Sequence, residues 1–197
     1  MLASFGYVEG DNIEDGRGTE QEYTAIEQQV ALLKLSGQLN EQHYLSLSYD
    51  YRNDDDTRLN RPHFQPSVKN VPLEQEADRH TFTANHNFRY SDLLNLDTTL
   101  YSTANRIAQK DHPQWNTSDG TINTIGGKVF NTARLAQHTL ITGADYKRDK
   151  SEFETNYSGQ QNHEEKGTVY TDYSCRMTGT LMMRFYFLLV PVTTGMN

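Results

Sequence analysis

The sequence predicts an all-β fold: an antiparallel up-and-down transmembrane β-barrel segment, about eight strands of a larger barrel. Three observations point there. First, Leu45-Ser46-Leu47-Ser48-Tyr49-Asp50-Tyr51-Arg52 and Thr81-Phe82-Thr83-Ala84-Asn85-His86-Asn87-Phe88-Arg89-Tyr90 alternate apolar and polar residues, as strands with one greasy and one wet face must. Second, their connections alternate in length: Asn53–Asp78 is long and polar, whereas Ser91-Asp92-Leu93-Leu94 is short. Third, hydrophobic residues make up only 35% of the 197 residues and mean hydropathy is −0.79, yet the chain holds 12 Tyr and 8 Phe. Disorder fits the first two figures and not the aromatics; strands that are apolar on one side only fit all of them.

The elements follow in order. Leu2–Val8 reads as a short strand and Glu9–Tyr23 as its loop, rich in Asp, Glu and Gly. Thr24–Ser36 is the next strand, Gly37–Glu41 a turn, and Gln42–Arg52 the return. The loop Asn53–Asp78 carries three of the five prolines, Pro62, Pro66 and Pro72, which resist regular pairing. Arg79–Tyr90 and Asn95–Ala108 flank the turn Ser91–Leu94, with Leu96, Leu100 and Ala104 on one face. Gln109–Gly120 is a loop, Thr121–Asn131 a strand, Thr132–Gln137 a turn and His138–Arg148 a strand. Asp149–Lys166 is a charged loop, and Gly167–Ser174 begins a further strand. Most of these strands have the length a tilted outer-membrane strand needs, about 9–11 residues. Every short connection falls on one side and every long one on the other, a sorting that a soluble β-sandwich, the competing all-β architecture, rarely shows.

Charge narrows the partners. The net charge of −8 and pI near 5.3 leave no basic stripe for nucleic acid. No apolar run approaches the roughly 20 residues of a membrane-spanning helix, and a barrel needs none. The start Met1-Leu2-Ala3-Ser4-Phe5-Gly6-Tyr7 is no secretion signal, so the expectation is a piece entered within a barrel. From Cys175 onward the composition changes: the only Cys and four of the five Met lie there. The domain expectation is therefore 1–174 as partial barrel and 175–197 as out-of-frame, non-native sequence.

Two stretches resemble TonB-dependent outer-membrane receptors. One is Leu33-Lys34-Leu35-Ser36-Gly37-Gln38-Leu39-Asn40-Glu41-Gln42-His43-Tyr44-Leu45-Ser46-Leu47-Ser48-Tyr49-Asp50, a strand, a Leu-Asn-acidic turn, and a strand ending in Ser-Tyr-Asp before a charged loop. The other is Ile125-Gly126-Gly127-Lys128-Val129-Phe130-Asn131-Thr132 followed by His138-Thr139-Leu140-Ile141-Thr142-Gly143-Ala144-Asp145-Tyr146, similar to paired strands of these receptors ending in Gly-x-Asp-Tyr. The resemblance spans about Leu2 to Ser174. It implies a plugged barrel of about 22 strands in the bacterial outer membrane, taking up haem or a ferric siderophore and driven by the TonB complex in the intact protein. A piece without plug or TonB-contacting segment is expected to be inactive alone. The Phe-Arg-Ala-Pro and Asn-Pro-x-Leu motifs of haem receptors are absent, while the Ser-Tyr-Asp loop context tips the reading slightly toward haem. A passive porin remains a competing membrane reading, and a soluble β-sandwich binding module a competing soluble one.

No catalytic constellation is present: there is no Gly-x-Ser-x-Gly elbow and no phosphate-cradling Gly-rich loop. The expectation is a non-enzyme without a bound cofactor, the metal carrier being cargo. The best ligand-contact cluster is Arg58, Arg61, His63 and Phe64, since guanidinium groups pair with carboxylate-bearing carriers and an aromatic offers a flat surface. Its bland competitor is a salt bridge to neighbouring Asp residues. His63, His112 and His163 fall in long loops, where solvated side chains compete with haem ligation. His43, His80, His86 and His138 read as wall residues, and Asp54-Asp55-Asp56 lacks the spacing of a calcium loop. Tyr49, Tyr51, Tyr90 and Tyr146 suit an aromatic girdle.

Overall fold

The computed structural model describes residues 1–59, 61, 64–68, 70–109, 117–157, 160–178, 183–188 and 192–194. One antiparallel sheet contains the described strands, of which the first eight are β1 (Leu2–Gly10), β2 (Ile26–Gln38), β3 (His43–Leu59), β4 (Pro72–Arg89), β5 (Asn95–Gln109), β6 (Thr117–Leu135), β7 (His138–Tyr157) and β8 (Gln160–Thr178). Each of β1 to β8 pairs with its neighbours in sequence. This is the up-and-down meander that the alternating connections predict.

Residues opposite each other across a ladder share a face, so the register identifies the two sides of the sheet. One row runs Leu35, Leu47, Ala84, Leu100, Gly127, Tyr146, Thr171. Its neighbour runs Leu33, Tyr49, Phe82, Ser102, Ile125, Arg148, Val169. The opposite face reads Ser36, Ser46, Asn85, Thr99, Lys128, Asp145, Asp172. One face is apolar and the other polar across seven strands.

The apolar face has no protein over it. Phe5 is 72% exposed, Leu100 58% and Phe82 57%, and the buried apolar residues among those described are Leu59, Leu73, Ala108 and Ala133. A Leu or Phe left in water forfeits about 1.5–3 kcal/mol each relative to burial, so a face of this kind is built for lipid. The polar face is cross-braced instead: Thr99 Oγ1 donates to Asn85 Oδ1 at 2.9 Å, Thr124 Oγ1 to Asp149 Oδ1 at 2.6 Å, and Asn87 pairs with Asp97. Tyr101 lies over Gly126 so closely that any side chain there would collide with the ring.

The structure corrects the loop boundaries. Asn53–Leu59 pairs with Pro72–Asp78, and Ser151–Tyr157 pairs with Gln160–Lys166, so much of both predicted loops is hairpin. β2 to β8 accordingly run from 13 to 20 residues, beyond the expected membrane span. Two wet faces erase the polarity alternation, and Pro72 is tolerated because it is the first residue of its strand. Thr132–Leu135 is also strand, leaving Ala136-Gln137 as the connection. The short turns are latched to neighbours: Arg134 N–H donates to Asp92 O at 2.6 Å, and Asn95 N–H to Asn131 Oδ1 at 2.9 Å.

β8 does not stop at the compositional break. Cys175 to Thr178 continue its ladder with Thr139–Thr142. Beyond it, β9 (Met183–Leu188) pairs with Asp172–Met177 and β10 (Val192–Thr194) with Gly167–Val169. Backbone pairing is indifferent to the origin of a sequence, so this leaves the reading of 175–197 where composition put it.

Candidate functional site

Arg58, Arg61 and Phe64 sit at the outer end of the β3–β4 hairpin; His63 lies outside the described residues. Arg58 Nη2 meets Asp56 Oδ2 at 2.6 Å, so the salt bridge competing with ligand contact is present here. The Asp56 side chain is 5% exposed, and its other oxygen accepts the Glu27 N–H at 2.7 Å. A buried carboxylate needs such partners. It thereby ties the entry of β2 to β3.

Asn70 organises the segment that holds Arg61 and Phe64. It is 3% exposed; Oδ1 accepts the Arg61 N–H at 2.8 Å. Nδ2 donates to the carbonyls of Arg61 at 3.0 Å, Phe64 at 3.1 Å and Gln65 at 3.1 Å. Phe64 itself is 55% exposed. The hairpin tip is a folded cap presenting an aromatic outward, with Arg58 tethered below it. Composition does not reveal that Asp56 and Asn70 hold this cap together, because their roles depend on how the chain folds back, Asp56 onto Glu27 and Asn70 onto Arg61, Phe64 and Gln65.

The three consecutive aspartates do not converge. Alternation puts Asp54 and Asp56 on the polar face and Asp55 on the other, and Asp54 is taken up by Gln28 Nε2 at 2.6 Å and Arg52 Nε at 2.9 Å. Among the described residues no group of three or more His, Cys, Asp or Glu is placed to hold a metal ion.

Three of the four wall histidines, His43, His80 and His86, lie in two pairs on the apolar side. His43 Nδ1 lies 2.9 Å from His86 Nε2 beside Phe88, near the short turns. His80 Nδ1 lies 2.8 Å from Tyr49 Oη, among Tyr51 and Phe82, toward the long hairpins. His163 Nδ1 is 3.4 Å from Glu154 Oε1, and His112 is outside the described residues.

A concavity of about 900 Å³ lies among the outer ends of β4 to β8 and is lined by Glu76, Arg106, Asp119, Glu154 and His163 among others. Asp119 grips Arg106 at 2.6 Å, and that hydrogen bond, with the charge behind it, raises the guanidinium's pKa above its ordinary value. This surface is suited to polar, charge-matched contact.

A single sheet with one lipid-type face, one hydrogen-bonded polar face, short turns at one end and tall hairpins at the other defines a wall segment of a transmembrane β-barrel. Solved structures agree. The chain is similar to the copper transporter OprC, with a TM-score of 0.69 and 14% identity over 89% of this chain and 28% of that one. It is also similar to FpvA, in a complex with pyocin S2 and, for the P. aeruginosa protein, bound to iron-loaded heterologous pyoverdine. Each of these has a TM-score of 0.60 and 12% identity over 97% of this chain and 35% of that one. OprC and FpvA are TonB-dependent receptors, and the chain spans about a third of their length. At these identities the likeness is one of fold. No protein-family model and no curated protein matches the chain.

Proposed function

We propose that this chain forms part of the wall of a TonB-dependent outer-membrane receptor that imports a carrier-bound metal, and that it is not an enzyme. The two-faced sheet carries this reading: its apolar side meets outer-membrane lipid and its polar side the receptor interior. An open sheet encloses no channel, so the described segment needs the rest of a barrel, a plug and the TonB complex to move cargo. Arg58, Arg61, His63 and Phe64 belong to a hairpin tip that meets the carrier, Phe64 as the stacking surface. Of the two carriers, we favour a ferric siderophore over haem. The similarity to FpvA, whose solved structure holds an iron-loaded pyoverdine, supports that choice. Residues 175–197 are out-of-frame sequence on this reading, which the coding DNA in all three frames tests.

The function is tested by uptake of radiolabelled iron into cells that carry the intact protein, with and without TonB. Ferric siderophore uptake that disappears without TonB is expected. Uptake that persists there supports the passive porin instead.

A further inference from the structure

Resting on the membrane-wall reading, we propose that the outward face of β6, β7 and β8 seats one zwitterionic phospholipid: phosphate on Arg148, ammonium toward Glu152 and Glu165, and an acyl chain in a groove over Gly127. The groove is a concavity of about 640 Å³ whose lining includes Leu100, Ile125, Gly127, Ala144, Tyr146 and Tyr173. Small residues make its floor. At Gly127 an added Cβ would come within 2.7 Å of Leu100 Cδ2, so the Leu100 side chain leans over the glycine and walls one side of the groove.

Register sets a cation at the end of this groove. Gly127 opposes Tyr146, and one step along the same face Arg148 lies between Ile125 and Val169. Its nearest neighbours across both ladders are thus aliphatic. Arg148 is exposed and forms no ion pair among the described residues. Near a membrane boundary a long basic side chain is tolerated, its stem along the apolar surface and its head in the polar layer. A guanidinium there matches two phosphate oxygens at once.

The next positions outward reverse the charge. Lys150 Nζ is shared by Glu152 at 2.5 Å and Glu165 at 3.1 Å, two carboxylates on one ammonium. From the groove outward the face therefore presents apolar surface, one cation, then net negative charge. A lipid whose phosphate is followed by an ammonium group matches this order. A lipid with a net negative headgroup meets the carboxylates, and a phosphate-free glycolipid leaves Arg148 unmatched.

The intact protein that carries this chain is reconstituted into vesicles of phosphatidylethanolamine, phosphatidylglycerol and a phosphate-free galactolipid in equal parts with matched acyl chains. Native mass spectrometry after gentle detergent extraction then identifies the lipid retained. We expect phosphatidylethanolamine to be enriched several-fold over the vesicle ratio. The preference should vanish in Arg148→Gln and partly survive in Arg148→Lys, while Ala144→Leu, which fills the groove, should lower retention of all three lipids. Equal retention of the three, or preference for phosphatidylglycerol, overturns the lipid seat. Flotation and circular dichroism of the same vesicles separate the two levels. A chain that inserts without preference refutes the seat alone, and one that does not insert refutes the membrane wall and the seat with it.

Discussion

At the scale of single residues, polar side chains in this chain act as tethers, some between strands and some within one hairpin. Asp56 caps the start of β2 and restrains Arg58; Asn70 gathers three carbonyls and an amide. Such roles are invisible to composition. Arg58 shows why: its type suits a carboxylate-bearing carrier, but the sequence alone could not say that Asp56 already holds it. Two described non-glycine residues, Tyr23 and Ala136, are set against their own preference. Ala136, in the tight β6–β7 connection, has φ of 51°, a left-handed conformation that burdens any residue with a Cβ. The Ala136→Gly variant should be more stable by about 1 kcal/mol, read from the urea midpoint in detergent micelles. An unchanged or lower midpoint would show that the turn is not strained as described.

At the scale of elements, the connections differ in how they are ordered. The β1–β2 loop is built on side chains. Asp15 Oδ1 accepts the N–H of Arg17 at 2.8 Å and of Thr19 at 3.0 Å, while Asn12 Oδ1 accepts those of Thr24 and Ala25 at 2.9 Å each. The backbone donor of Thr19, then that of Arg17, lowers the Asp15 pKa below its ordinary value. A carboxylate depressed by folding stabilises the fold above its unfolded pKa, and that contribution is lost as pH falls through the folded value. Amide protection at Arg17 and Thr19 should therefore hold from neutral pH through the ordinary carboxylate range and disappear only in stronger acid. Protection that fades near the ordinary Asp pKa would contradict this origin. The element boundaries were legible where one face is apolar: Leu45–Arg52 and Thr81–Arg89 both fall within observed strands. They were illegible where both faces are wet, as in Asn53–Leu59 and Asp149–Tyr157, because alternation in polarity disappears while alternation in geometry continues.

At the scale of the whole molecule, the sheet has a surface economy opposite to that of a water-soluble domain. Large apolar side chains such as Phe5, Phe82 and Leu100 are more than half exposed on one face, and the hydrogen-bonded network lies on the reverse face. The fold class was legible because this arrangement imposes period two on sequence over many strands. The carrier was not, since its contacts fall on hairpin tips whose shape depends on side chains such as Asn70. The account is tested most directly by nitroxide scanning of β5 in lipid vesicles, one label at a time from Asn95 to Gln109. Access to oxygen, which concentrates in lipid, should peak at Leu96, Thr98, Leu100, Ser102 and Ala104. Access to a water-soluble nickel chelate should peak at Asp97, Thr99, Tyr101, Thr103 and Asn105. Loss of this period-two opposition, with both sets shielded from lipid and water alike, would contradict the membrane wall.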